Sequence, residues 1–308
     1  MVSDNSVGSM KDFLFRYRAF KPYNIQALAE GKLFFSTPSE FNDPFDSVVY
    51  VDQQKLYGSI EYALRANLDS YLDIKHINPK GKALKKVLAL SDKSVFDLPQ
   101  SSELIQGFME HVHNTSNKFK QQINANTKVV CFSEDYLSPL MWAHYADNHK
   151  GFALGYAKSN LLTAPIYNEI GEKIGNKMIL DRVNYAKTTP DSGQLFYDIF
   201  PEIMKEKAIH DTSKFYKQVL YNKTSEWCYE KEWRLCSVQD TLETNNPARY
   251  MLVEPCMMFL GAKMPSQNRE TMVKIAREKE MPVFEVWAND KEAEFKLNFC
   301  LIYPKQYD

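Results

Sequence analysis

The densest group of reactive side chains is the run EWCYEKEWRL, Glu226 to Leu235, where Glu230 and Glu232 stand two residues apart. Read as one strand from Glu226 to Val238, it puts Cys228, Glu230, Glu232 and Arg234 on one face and Trp227, Tyr229, Lys231 and Trp233 on the other. Two carboxylates roughly 7 Å apart on one strand face suit glycosidic cleavage. One group protonates or orients while the other stabilises the positive charge of an oxocarbenium-like transition state. The plainer alternative is a solvated strand face on which Arg234 pairs with Glu232.

Three more segments hold polar and aromatic side chains in unusual density. In FRYR, a period of two sets Arg16 and Arg18 on one face, and guanidiniums match the planar, bidentate geometry of carboxylate or phosphate oxygens, a dinucleotide pyrophosphate included. Pairing with Asp43 or Asp46 would make them structural instead. Ser36 and Thr37, at the end of LFFSTP, suit either a ligand's polar groups or a cap on the turn FNDPFD, whose Asn42-Asp43-Pro44 favours an Asx-type turn pinned by Phe41 and Phe45. In MWAHYADNHKG, Trp142 and Tyr145 suit packing of a helix on a sheet, or a pocket wall that stacks on a cationic nicotinamide ring. His144 and His149 are five apart, not the i,i+4 pair that a metal favours, and no metal site is expected.

These side chains need a scaffold. FLFRYR reads as a strand, followed by a short helix through Ile25, Leu28 and Ala29 that stops at Gly31, and then by the strand LFFSTP. KVVCFSED (128–135), GFALGY (151–156) and KMILDRVNYA (177–186) read as strands, and Ser138-Pro139 opens a helix that ends before Gly151. A long helical stretch is expected over 195–223. The C-terminal part supplies the strand CMMFLGA, a helix over 266–280, and the strands PVFEVWA and EFKLNFCLI. Residues 53–126 differ, with apolar residues such as Leu104, Phe108 and Val112 at helical spacing and a turn at Asn78-Pro79-Lys80-Gly81, so a helical insertion in two halves is expected. Strands and helices do not alternate as βαβ units, which favours a single α+β domain over residues 1–308 that contains the insertion.

Composition narrows the classes further. With 308 residues, 44% hydrophobic and 25% charged, the chain is an ordinary globular protein and not a disordered, collagenous or rod-like one. Thirty-eight Lys and Arg against thirty-nine Asp and Glu leave no global field for nucleic acid or anionic lipid, although Lys75, Lys80, Lys82, Lys85 and Lys86 can form a local basic strip. The five cysteines are widely spaced and never form C-x-x-C, so neither a disulfide framework nor a zinc knuckle is expected and the setting reads as cytoplasmic. No signal peptide and no apolar run of about 18 residues is present, so no membrane association is expected.

The order of the motifs FRYR, L-x-x-G-x-L-F-F-S-x-P, FNDPFD, C-F-S-x7-M-W-x-H-Y-x5-G and W-x-Y-E-x-E-W-R resembles an uncharacterised bacterial family known as a domain of unknown function, from Phe15 to about Phe299. A more distant similarity runs to the ADP-ribosyltransferase superfamily. That superfamily opens with a strand carrying Arg or His beside Tyr and a helix closing at Gly, and continues with a strand carrying Ser or Thr and a late strand with a catalytic Glu. This similarity implies mainly antiparallel sheets and NAD as substrate. It implies that Arg16, Tyr17, Arg18, Ser36, Thr37, Asn42, Asp43, Trp142 and Tyr145 bind the dinucleotide, with Glu230 or Glu232 catalytic. The E-x-E spacing is like that of arginine-modifying transferases, although here it lies within the expected strand and not in a loop before one.

On this similarity the chain would be a bacterial toxin or anti-phage effector. It would transfer ADP-ribose to a protein or nucleic acid, or release it to water, and an antitoxin or inhibitor protein would be its partner. Two alternatives stand beside it. One is a non-catalytic partner-binding module, marked by glutamates wholly engaged by structural arginines. The other is a metal-dependent nuclease using Asp43, Asp46 and Glu230, which needs those carboxylates to converge on a magnesium ion.

Overall fold

The structure, a computed structural model, describes residues 9–48, 127–175, 177–193, 213–238, 247–289 and 293–304, with positions 50, 52, 55, 114 and 121. The helical insertion expected over 53–126 lies outside the described residues apart from those isolated positions.

The chain opens with β1 (Phe13–Arg18), α1 (Pro22–Ala29) and β2 (Lys32–Phe34), as the aromatic run and the Pro-to-Gly punctuation predict. LFFSTP is shorter as a strand than expected. After Phe34 the chain turns into a 3-10 turn, Pro38–Glu40, where the Glu40 carboxylate accepts from the Thr37 backbone N–H at 2.9 Å. Next come β3 (Lys128–Ser133), α2 (Pro139–Tyr145), β4 (Phe152–Ala157), α3 (Lys158–Thr163), β5 (Ile166–Tyr167) and β6 (Lys173–Ile174). The expected strand 177–186 is two, β7 (Lys177–Arg182) and β8 (Asn184–Ala186). Then follow α4 (Ser213–Leu220), β9 (Asn222–Thr224), β10 (Glu232–Val238), β11 (Tyr250–Leu252), β12 (Met257–Leu260), α5 (Ser266–Glu278), β13 (Val283–Ala288) and β14 (Leu297–Tyr303).

The fold is α+β. An eight-stranded sheet runs in the order β14-β13-β12-β4-β1-β3-β10-β7, a four-stranded sheet in the order β2-β11-β5-β6, and β8 and β9 form a short ribbon. All pairs in the large sheet are antiparallel except β12 with β13, which are parallel and joined by α5, the crossover that a parallel pair requires.

Register settles which side chains share a face. Phe15 and Glu232 both lie opposite Ser133, so these three side chains point to one side of the sheet, while Leu14, Arg16 and Arg18 alternate to the other. The Arg16 side holds the larger core, where Leu14, Val130, Leu154, Leu235 and Met258 meet Leu33, Ile166 and Met251 of the small sheet. The Glu232 side is closed by α2, whose Trp142 packs among Phe15, Tyr17, Ala153 and Phe259.

By contact density the chain divides into two compact units, one of residues 1–43, 126–187 and 223–308, the other of residues 44–125 and 188–222. In the second, Asp191 organises what is described: it bridges Tyr50, accepts from the Asp52 N–H at 2.9 Å, and its carbonyl takes Gln218 Nε2 at 2.7 Å.

Gly151 marks a close approach between backbones. A Cβ there would lie 2.1 Å from the Arg18 carbonyl oxygen and 2.9 Å from that of Ala146. Gly151→Ala is therefore expected to destabilise the protein by about 2 kcal/mol or more, measured by urea unfolding.

Candidate functional site

The run read as one strand over 226–238 is two pieces, which corrects the expected face. Ser225–Glu230 is a 3-10 turn, Lys231 takes a left-handed conformation (φ 44°), and β10 begins only at Glu232. The bend closes through the Lys231 N–H on the Cys228 carbonyl at 3.2 Å and through the Ser133 hydroxyl, which donates to the Glu230 carbonyl at 2.6 Å. In a 3-10 turn residues three apart eclipse, so Trp227 and Glu230 come to one side together, while Cys228 is exposed and does not join the glutamates.

What they face is Lys223. Its ammonium donates to Glu230 Oε2 at 2.6 Å and to Glu232 Oε2 at 3.1 Å, and sits 4.9 Å from the Trp227 ring centre. Arg234 donates to Glu232 Oε1 from Nε at 2.7 Å and to Oε2 from a terminal nitrogen at 3.2 Å, with its guanidinium over the Phe41 ring. The Cys131 thiol adds a hydrogen bond to the Glu232 carboxylate, and the Tyr185 hydroxyl accepts from the Glu232 backbone N–H at 2.8 Å. Glu230 Oε1 takes the Tyr145 hydroxyl at 2.6 Å.

The two cations and two carboxylates have side chains only 1–5% exposed, so they must neutralise one another inside the protein. Burial alone would raise the Glu232 carboxyl, but Arg234 and Lys223 hold it down at about 2. At Glu230 burial prevails over the attraction of Lys223, Glu232 adds repulsion, and the carboxyl is raised above its usual range. Burial works against the Lys223 ammonium, yet Glu232 and Glu230 raise its pKa. Burial, then the Glu230 carboxylate, raises the Tyr145 hydroxyl. The glutamates are thus unequal: Glu232 is a strongly held anion, and Glu230 is the weaker acid.

Both glutamates are buried, but the side chains around Glu230 reach the surface. Tyr145 is half-buried and hydrogen-bonds to the exposed Asn42, and the half-buried Tyr229 and Trp227 and the exposed His144 stand around it, with ring centres 6.0 Å apart for both Tyr229–Trp227 and Tyr229–His144.

The other expected site residues are placed elsewhere. Arg16 and Arg18 point to the opposite side of the sheet, so β1 does not bring them to the glutamates. Tyr17 is on the glutamate side but buried, its hydroxyl donating to the Asp135 carbonyl at 2.6 Å. Trp142 is fully buried, donates from Nε1 to the Tyr136 carbonyl at 2.9 Å and packs edge-on against Tyr17, so it is core and not a wall. Ser36 exchanges backbone hydrogen bonds with Val129, and Thr37 starts the 3-10 turn, so both are structural. Asp43 is buried. Among the described residues, no group of three or more His, Cys, Asp or Glu side chains is placed to hold a metal ion, which the nuclease alternative requires. No helix among them is long and apolar enough to cross a membrane.

Sequence reasoning missed Lys223, placed at the end of a helical stretch, and also Tyr185 and Cys131. A lysine seven residues before Glu230 carries no local mark of burial. The sequence signal nearest to one is that two glutamates and one arginine on a strand leave a buried negative charge unmatched.

Lys223, Glu230, Glu232, Arg234 and Tyr145 fall within one matched segment. Residues 141–235 match the model of DUF2971, a protein family of unknown function. The FNDPFD turn and β1, on which the bacterial-family resemblance also rested, lie outside the matched residues. No curated protein and no solved structure matches the chain.

Two substitutions separate the carboxylates. Glu232→Gln removes the buried carboxylate charge that Arg234 and Lys223 both face and is expected to cost roughly 3–5 kcal/mol. Glu230→Gln keeps an acceptor for Tyr145, leaves Lys223 with Glu232, and is expected to cost less than half as much. A depressed carboxyl gives stability that is complete above its unfolded value and lost as pH falls through its folded value. The Glu232 contribution should therefore fade between pH 4.5 and pH 2 in wild type and be absent in Glu232→Gln. Glu230, being raised, contributes the opposite slope. That slope lies above the ordinary carboxyl value of 4.5, so urea unfolding from pH 2 to pH 7 checks both.

Proposed function

We propose that the chain consumes NAD, breaking the bond between nicotinamide and ribose, with Glu230 as its catalytic carboxylate. The observation that carries this reading is the inequality of the glutamates: Arg234 and Lys223 engage both oxygens of Glu232, whereas Glu230 meets the surface through Tyr145. In the reaction, a nicotinamide-ribose hydroxyl takes the place of the Tyr145 hydroxyl on Glu230 Oε1. The C1′–N bond breaks, nicotinamide leaves with the bonding pair, and the carboxylate supports the positive charge at C1′. A nucleophile on a macromolecule, or water, then forms the new bond to C1′ and loses its proton. Lys223 is a positioning residue, holding Oε2 and with it the carboxylate plane. Tyr145, Tyr229 and Trp227 offer ring surface for the cationic nicotinamide.

This reading keeps the glutamate implied by the ADP-ribosyltransferase resemblance and drops Arg16, Arg18, Ser36, Thr37 and Trp142 from the dinucleotide site. The same resemblance supports a bacterial toxin or anti-phage effector, with an antitoxin or inhibitor protein as partner. One observation favours a second reading, a partner-binding module: each oxygen of both glutamates already has a partner within the chain.

The test is incubation with NAD labelled in its adenylate, alone and with the protein or nucleic-acid fraction of a lysate. Nicotinamide release or label transfer should fall at least about a hundredfold in Glu230→Gln. In Tyr145→Phe the reaction should persist, because only a competing hydrogen bond is removed. Folded wild-type protein that leaves NAD intact in every fraction would favour the binding module.

A further inference from the structure

Arg16 is a buried cation with little to compensate it. It is 8% exposed, yet no carboxylate among the described residues pairs with it. One terminal nitrogen reaches the Cys131 carbonyl at 3.3 Å and the other the Phe34 carbonyl at 3.5 Å, both long, and its guanidinium sits 6.0 Å from the Phe132 ring centre. Its Nε is buried with no acceptor. Two residues along the same face stands Arg18, half-buried, with no hydrogen bond or ion pair to its guanidinium among the described residues. The two repel: burial, then Arg18, brings the Arg16 pKa down to about 9.

A buried cation is ordinarily paired, because desolvation is compensated only by a counter-charge and full hydrogen bonding. Two adjacent guanidiniums, neither paired to an acid among the described residues, leave a double positive charge and unused donors. The buried Tyr156 lies on the same face, in a register position two residues from the partner of Arg16, and is close enough to feel both charges.

We infer that Arg16 and Arg18 form a second ligand site, on the sheet face opposite Glu230, that takes a phosphoryl dianion, with Tyr156 beside it. A single carboxylate would neutralise only half of the charge, whereas a phosphoryl group supplies both the charge and the forked oxygens that guanidinium donors match. Half-buried Arg18 is the entry side, and Arg16 is the deep end. The site is independent of the NAD reading and stands on other residues.

The test is thermal unfolding of the full chain against inorganic phosphate, pyrophosphate and ADP at constant ionic strength. A saturable rise of a few degrees in Tm is expected, as for any ligand that binds only the folded state. Glu230→Gln should keep that rise, which separates this site from the catalytic proposal. Arg18→Gln should lose it. Arg16→Met should lose it too, yet unfold in anion-free buffer no earlier than wild type, since an uncompensated charge has been removed. Tighter binding of pyrophosphate and ADP than of phosphate would identify the phosphate chain of a nucleotide, and equal binding a lone phosphoryl group. No saturable rise in wild type, or a rise that survives in Arg18→Gln, would overturn the inference.

Discussion

Lys223 is shared between two buried carboxylates, and the electrostatics of the site follow from that sharing. Each of the four charges beside the end of β10 would be prohibitively costly alone, and together they sum to zero. Lys223 is the member that joins the two carboxylates, because its ammonium touches both glutamates. It makes a neutral cluster out of three charges that would otherwise carry a net negative.

The same arrangement makes two identical side chains unlike. Glu232 lies in the strand, where its neighbour two residues on is Arg234 and both oxygens face cations. Glu230 lies one left-handed residue earlier, at the end of a 3-10 turn, where one oxygen faces Lys223 and the other a tyrosine hydroxyl. A neutral donor stabilises an anion less than a guanidinium does, so the acidities diverge. The bend at Lys231 therefore does more than end a turn: it moves one carboxylate out of the strand's charge ladder and beside the half-buried Tyr145.

The eight-stranded sheet acts as a partition. Its Glu232 side carries the charge cluster and the α2 contacts, and its Arg16 side carries the larger apolar core and two guanidiniums that no acid among the described residues meets. Side chains that look like parts of one dinucleotide site in the sequence are set on two sides by the period of two, and the partition cannot be crossed by a side-chain rotamer.

The sequence by itself determined the α+β class, most element positions and the residues with chemical promise, because period-two and helical patterns, proline at helix starts and glycine at stops are local signals. It also marked Glu230, Glu232, Arg234 and Tyr145 as unusual. Only the tertiary structure decided that Trp142 is core, that Ser36 and Thr37 serve the backbone, that the E-x-E pair straddles a turn and a strand, and that Lys223 joins them. The physical reason is range. Whether Arg16 faces Glu232 depends on the pairing of β1 with β3 and of β3 with β10, across more than a hundred residues of chain, and burial of Lys223 depends on charges that its own neighbours in sequence do not supply.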